Sequence, residues 1–192
     1  MLPEQLRLTD GTIVKRCPTD KPLYCSQAGK FFSVHNAVLT DDGWQLHEVR
    51  PSFSPVRRKK WRSSNGISGT QYPIMRHFGC INCHILMALT WLGSRPIFKV
   101  KHPSGLIAFI KAEIDHLNGN ILDWRADNLQ YVTPAENRRR ARILRDLRDS
   151  GLDPCTLTRE QLLDLFNQAF LRCATTNNLA GDVYEGDVYE GD

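Results

Sequence analysis

The sequence predicts an α+β protein in which a small N-terminal β module precedes a compact ββα unit and C-terminal helices. Three observations carry this expectation. Short β-like runs broken by turn residues occupy the first fifty residues; residues 106–137 pass from strand to turn to strand to helix start; amphipathic helical periodicity dominates from 134 onward. With 192 residues, 41% of them hydrophobic, the chain can bury a core and build one or two small domains.

Taken in order, the runs 22–25, 30–34 and 44–49 read as strands separated by turn residues, Asp41-Asp42-Gly43 being the clearest turn. The cluster Arg57-Arg58-Lys59-Lys60-Trp61-Arg62 sits among Ser, Pro and Gly, so it reads as a loop or hairpin edge able to track phosphates; a merely solvated loop is the plainer alternative. Residues 71–75 form a strand leading to a short apolar helix over 83–92, closed by Gly93.

The ββα unit follows. Residues 106–114 (LIAFIKAEI) are apolar and β-branched, and they deliver Asp115 and His116 at the end of a strand. Asn118-Gly119-Asn120 then marks a turn, because Asn and Gly tolerate positive φ. A second strand is expected over 129–132. Thr133 next reads as a helix N-cap, with Pro134 at the first helical position and Glu136 completing a capping box. Asn137 falls in the first helical turn. The strand end and helix start can therefore face each other, bringing Asp115 and Asn137 together across 22 positions as a possible metal clamp.

The helix predicted over 134–149 carries Arg138, Arg139, Arg142 and Arg145 as a basic face, with Ile143, Leu144 and Leu147 on an apolar side. A second capping box, Thr158-Arg-Glu-Gln161, opens a helix running to about 173, with Leu162, Leu163, Leu165, Phe166, Phe170 and Leu171 as its apolar residues. That helix either docks on the core or joins a helical DNA-reading module; its few basic residues favour docking. The terminal GDVYEGDVYEGD is an acidic five-residue repeat without core residues, so disorder is expected, with calcium binding a weaker alternative.

Charge is unevenly spread. Residues 1–150 carry 23 basic and 13 acidic side chains, whereas 151–192 carry 2 and 8, so a body of +10 precedes a tail of −6. A nucleic-acid-binding body with an acidic end has this pattern. No run of about 18 apolar residues is present, so no membrane span is expected. The opening MLPEQLRLTD has no basic region followed by an apolar run, which points to the cytoplasm and to reduced cysteines. Cys80-Ile-Asn-Cys83-His84 matches a c-type haem attachment signature, but attachment needs export. A structural zinc on Cys17, Cys25, Cys80 and Cys83 is the better alternative, although Cys17 and Cys25 are spaced more widely than usual.

The ordered set Asp115-His116, Asn128 twelve residues after the His, and Asn137 nine residues later resembles the HNH nucleases, in the variant with Asn replacing the last His. The flanking Asn118-Gly119-Asn120, Arg125, Val132-Thr133-Pro134 and Glu136 extend the resemblance, which is greatest to phage and intron-type homing endonucleases. It implies a ββα-metal core that hydrolyses phosphodiester bonds in double-stranded DNA. Asp115 and Asn137 would be the protein ligands of one divalent cation, Mg²⁺ or Mn²⁺. His116 would be the general base, and Asn128 would brace the loop carrying it or orient the phosphate. Cys83-His84-Ile-Leu-Met-Ala resembles the segment preceding the core in this family, which implies a structural role for His84 near the site. Tyr24-Cys-Ser26-Gln-Ala-Gly29 resembles the opening of the small β modules of phage homing enzymes. Asp123-Trp124 departs from the family pattern, where polar Asn residues are commoner.

The expected organisation is thus a β-rich DNA-binding module over 1–65, the nuclease core over 66–140, a helical region over 141–178 and a disordered acidic tail over 179–192. DNA contacts are expected from Arg57, Arg58, Lys59, Lys60, Arg62, Arg138, Arg139, Arg142 and Arg145. No obligate protein partner is evident. The competing readings are a DNA-binding protein that keeps the scaffold without cleavage, and a zinc-stabilised binding module.

Overall fold

A computed structural model describes residues 2–53, 72–101, 104–176 and 187–189. They fall into two compact units, residues 1–92 with 121–126, and residues 93–120 with 127–192. The basic cluster at 57–62 lies outside the described residues.

In the first unit β1 (Gln5–Arg7), β2 (Ile13–Arg16), β3 (Leu23–Ser26), β4 (Phe31–Thr40) and β5 (Gly43–Val49) pair in sequence order as an antiparallel meander. The meander turns back on itself where Leu8 bridges Trp44. Gly43 makes this approach possible: at φ +139° a Cβ would stand 2.8 Å from the Arg7 carbonyl. Leu6, Leu8, Val14, Tyr24 and Phe32 form the core. A second sheet joins β6 (Ser52–Phe53), β7 (Pro73–Met75) and β8 (Ile81–Asn82), and α1 (Cys83–Trp91) follows directly. All four residues of β3 are buried because both of its faces are covered. Tyr24 enters the meander core, while Cys25 lies close to Thr90 and Trp91 of α1.

Residues 121–126 complete this unit. Trp124 Nε1 donates to the Gly29 carbonyl at 2.8 Å, its ring lying where a Cβ on Gly29 would come within 3.1 Å, and the Ala126 amide donates to the Gln27 carbonyl at 3.0 Å. The unusual Trp124 is therefore the residue that pins the loop to the turn between β3 and β4.

The second unit holds the hairpin of β9 (Ile97–Lys101) and β10 (Ile107–Lys111), and the two-stranded pair of β11 (Glu113–His116) and β12 (Leu129–Val132). The single strand expected over 106–114 is thus cut at Ala112. Its amide donates to the Pro96 carbonyl at 2.9 Å and its carbonyl accepts from Arg95 Nε, so the chain leaves one sheet and enters another. Helices α2 (Pro134–Asp149) and α3 (Arg159–Thr176) follow, and both begin as expected. Thr133 Oγ1 accepts from the Glu136 amide at 3.2 Å. Thr158 and Gln161 form a reciprocal box, with bonds of 2.8 and 3.2 Å.

The described residues depart from the expected organisation in three places. The boundary at 140/141 does not separate modules, because α2 runs through it and Leu117, Leu144, Leu162 and Phe166 form one core. Helix α3 is docked, with Leu162 and Phe166 buried and Leu171 left 67% exposed. Helix α1, expected with the core, belongs to the unit of the N-terminal sheet. Within the tail expected to lack structure, β13 (Asp187–Tyr189) pairs antiparallel with β9. Val and Tyr are strand-favouring residues, and β9 offers an open edge. No helix among the described residues is long and apolar enough to cross a membrane.

Candidate active site

The β11–β12 ladder sets Asp115 opposite Gln130 and His116 opposite Leu129. Residues two apart on a strand share a face, so Glu113, Asp115 and Leu117 project together. Helix α2 runs alongside that face. Asn137 Nδ2 donates to Glu113 Oε2 at 2.7 Å, Arg140 pairs with Asp115 at 3.6 Å, Leu144 packs with Leu117, and Arg148 Nη2 donates to the Asn118 carbonyl at 3.2 Å. The periods nearly match, since two strand residues rise about 6.6 Å and one helical turn about 5.4 Å. A stripe at 137, 140, 144 and 148 can therefore track the strand residue by residue.

Around Asp115 this seam is charged and buried. Asp115 and Arg140 are 7% and 6% exposed. Arg140 also pairs with Glu136 one turn earlier, and its guanidinium lies 4.7 Å from the centre of the Phe166 ring. The Gln130 amide bridges the pair: it hydrogen-bonds to Asp115, and in the orientation its surroundings favour its oxygen accepts from Arg140. Burial pushes the Asp115 carboxyl up to about 6 and Glu136 adds to the rise, against the opposing pull of Arg140, Gln130 and the His116 amide. Asp115 Oδ2 is buried, and the Arg140 nitrogen at 3.6 Å is too far for a hydrogen bond. A buried carboxylate oxygen with so little coordination, and an asparagine amide on the same seam, are hard oxygen donors of the kind that Mg²⁺ and Mn²⁺ accept. The residues present therefore fit a divalent cation.

His116 ends β11 and is 7% exposed; its carbonyl accepts from the Gly119 amide at 2.7 Å, closing the tight turn that Gly119 makes at φ +67°. Asn128 is tied to the same turn. Its Oδ1 accepts from the Asn118 amide at 3.1 Å, its Nδ2 donates to Asn118 Oδ1 at 2.9 Å, and its carbonyl accepts from the Leu117 amide at 2.9 Å. Asn118 Oδ1 also accepts from the Asn120 amide at 2.9 Å. Thus the Asn-Gly-Asn turn and Asn128 form one interlocked unit immediately after His116.

The sequence-derived residues therefore sort into groups. Asp115 and Asn137 lie on one strand–helix seam, each engaged with a different partner rather than with each other. His116 and Asn128 lie at the end of the same strand pair. Arg138, Arg139, Arg142 and Arg145 are exposed on α2. His84 belongs to the first unit, its ring 4.7 Å from that of Tyr72. Glu113, Gln130 and Arg140 were missed by sequence reasoning, and Glu136 was read there only as a capping and flanking residue. Arg140 ends a run of three arginines, 138–140, and its distinguishing signal is its phase with Asn137 and Leu144.

The four-cysteine zinc set is not assembled. Cys17, Cys25 and Cys83 are buried, whereas Cys80 is exposed with φ 54° and its Sγ directed to the Arg76 carbonyl at 3.4 Å. Among the described residues no group of three or more His, Cys, Asp or Glu side chains is arranged to hold a metal ion. The interaction of Cys17 with Cys25, together with burial, raises the Cys17 thiol; the same interaction lowers the Cys25 thiol against the opposing effect of burial, and burial pushes Cys83 up to about 12.

Residues 103–139 match the family model described as HNH endonuclease. No curated protein and no solved structure matches the chain. The matched segment contains Asp115, His116, Asn128 and Asn137, and such a domain points to nuclease activity on DNA. The family resemblance is thus carried by residues 103–139, the segment that matches the HNH endonuclease model.

Proposed function

We propose that the protein is a homing-type endonuclease that hydrolyses phosphodiester bonds of double-stranded DNA with one divalent cation, Mg²⁺ or Mn²⁺, working in the cytoplasm of a bacterial or phage-infected cell. The observation that carries this reading is the seam on which Asp115, with a poorly coordinated buried oxygen, and Asn137 meet the same strand face inside the matched segment. Asp115 and Asn137 would hold the cation, which supplies polarisation of the scissile phosphate and stabilisation of the leaving 3′ oxygen.

The remaining steps belong to the chain itself. His116 takes a proton from the attacking water, a role suited to an imidazole at neutral pH. Asn128 braces His116, a reading supported by its two side-chain bonds to Asn118. Arg138, Arg139, Arg142 and Arg145 meet backbone phosphates along α2, and Arg57, Arg58, Lys59, Lys60 and Arg62 extend that contact upstream. One observation favours a second reading, a DNA-binding protein without cleavage: the Arg140 guanidinium already faces Asp115.

Incubation with a plasmid carrying the protein's native genomic neighbourhood, with Mg²⁺ or with EDTA, separates the two. Metal-dependent nicking or cutting that His116→Ala lowers by at least about a hundredfold is expected. Binding without cleavage under every metal tested would establish the second reading, and unchanged cleavage by His116→Ala would remove the assigned base.

A further inference from the structure

We propose that Glu113 is a positioning residue that sets which end of the Asn137 amide is available to a cation. The inference rests on the metal-site reading above. An asparagine amide has two ends of nearly the same size, and only its oxygen can bind a hard cation. A ligand of this kind therefore needs something to forbid the reversed orientation.

Glu113 has the properties required. It lies two residues before Asp115 on the same face of β11, and its Oε2 stands 2.7 Å from Asn137 Nδ2. A carboxylate only accepts hydrogen bonds, so it meets the NH₂ end alone. Were the amide reversed, two oxygens would face each other at that distance with no proton between them. The backbone of Asn137 is fixed as well, because its amide donates to the Thr133 carbonyl at 2.9 Å in the first turn of α2. What remains free is rotation of the side chain, and Glu113 removes it. Oδ1 is thereby left as the ligand atom.

The test measures Mn²⁺ binding to the full-length protein by isothermal titration calorimetry, in a double-mutant cycle of Glu113→Met and Asn137→Asp. Glu113→Met in the native background is expected to weaken Mn²⁺ at least about tenfold, the low end for losing a residue that orients a metal ligand. Aspartate presents oxygen at both ends and needs no orientation. In the Asn137→Asp background Glu113→Met should therefore cost less than about twofold, or improve binding by relieving carboxylate repulsion. An equal loss in both backgrounds would mean that Glu113 acts through charge or folding, and would overturn the inference while leaving the metal site intact. No loss in either background would overturn it too. Absence of saturable Mn²⁺ binding by the native protein would overturn the metal-site reading and the inference together. If Glu113→Met loses its thermal transition, Glu113→Gln takes its place. Its amide satisfies either end of Asn137, so a coupling of about twofold is expected, and no coupling would refute the role.

Discussion

Replacing Asp115 with Asn should stabilise the metal-free protein at neutral pH while abolishing its response to metal. The Asp115 carboxyl is moved from its ordinary 3.8 to about 6 by burial that the nearby guanidinium does not fully offset. At 1.36 kcal/mol for each pH unit, holding it ionised costs the folded state about 3 kcal/mol. The sign follows from proton counting. Between pH 3.8 and about 6 the folded state retains a proton that the unfolded state has released, so stability falls as pH rises through that window and stays low above it. A neutral amide of the same shape avoids this loss. Thermal melts in EDTA should therefore show native and Asp115→Asn proteins equally stable below pH 3.8, with the variant melting about 6–12 °C higher above pH 7 for a chain of this size. Adding Mn²⁺ should raise the melting temperature of the native protein alone, since a ligand bound only to the folded state stabilises it. A gap independent of pH, or a variant less stable than the native protein at pH 8, would refute the claim that Asp115 is held ionised at a cost.

Three further outcomes are expected. Replacing both Arg138 and Arg142 by Ala should weaken DNA binding and reduce the slope of log K against log salt by roughly 0.9 for each lost phosphate contact; an unchanged slope in filter binding would mean that this face of α2 meets solvent. Asn128→Leu removes two buried side-chain bonds to Asn118 and should destabilise the protein by about 2–4 kcal/mol in urea unfolding, and a cost below about 0.5 kcal/mol would show that the turn holds without it. Phe166→Ala empties a fully buried ring position beneath Arg140 and should cost about 3–5 kcal/mol, checked by the same unfolding measurement, where a negligible change would place α3 outside the cooperative core.

Much of the local structure was legible because its signals are local. Thr133, Pro134 and Glu136 announce the start of α2, and the observed strand 129–132 and helix 134–149 have the expected bounds. Less was legible where a distant segment decides. The cut at Ala112 depends on a hydrogen bond to the Pro96 carbonyl and one from Arg95, and no glycine or proline marks it. β1 and β2, three and four residues long, carry too little alternation to stand out before they pair. In the candidate site, Asp115, His116, Asn128 and Asn137 are proposed from residue type, spacing and the resemblance they carry. Glu113 and Arg140 could not be named in this way, because their importance comes from the phase between a strand and a helix. That phase appears only once α2 is laid along β11.

The stacking of Phe166 on Arg140 has a consequence for how far this motif is portable. The family match ends at residue 139, one position before the arginine that faces Asp115, and the ring supporting that arginine lies on α3. Transplanting residues 103–139 into another scaffold would carry the acid, the histidine and both asparagines but leave Asp115 without its counter-charge. The heritable signature of the family and the electrostatically complete site are thus different lengths of chain, and substitutions in α3 can reach the seam without altering any residue of the signature.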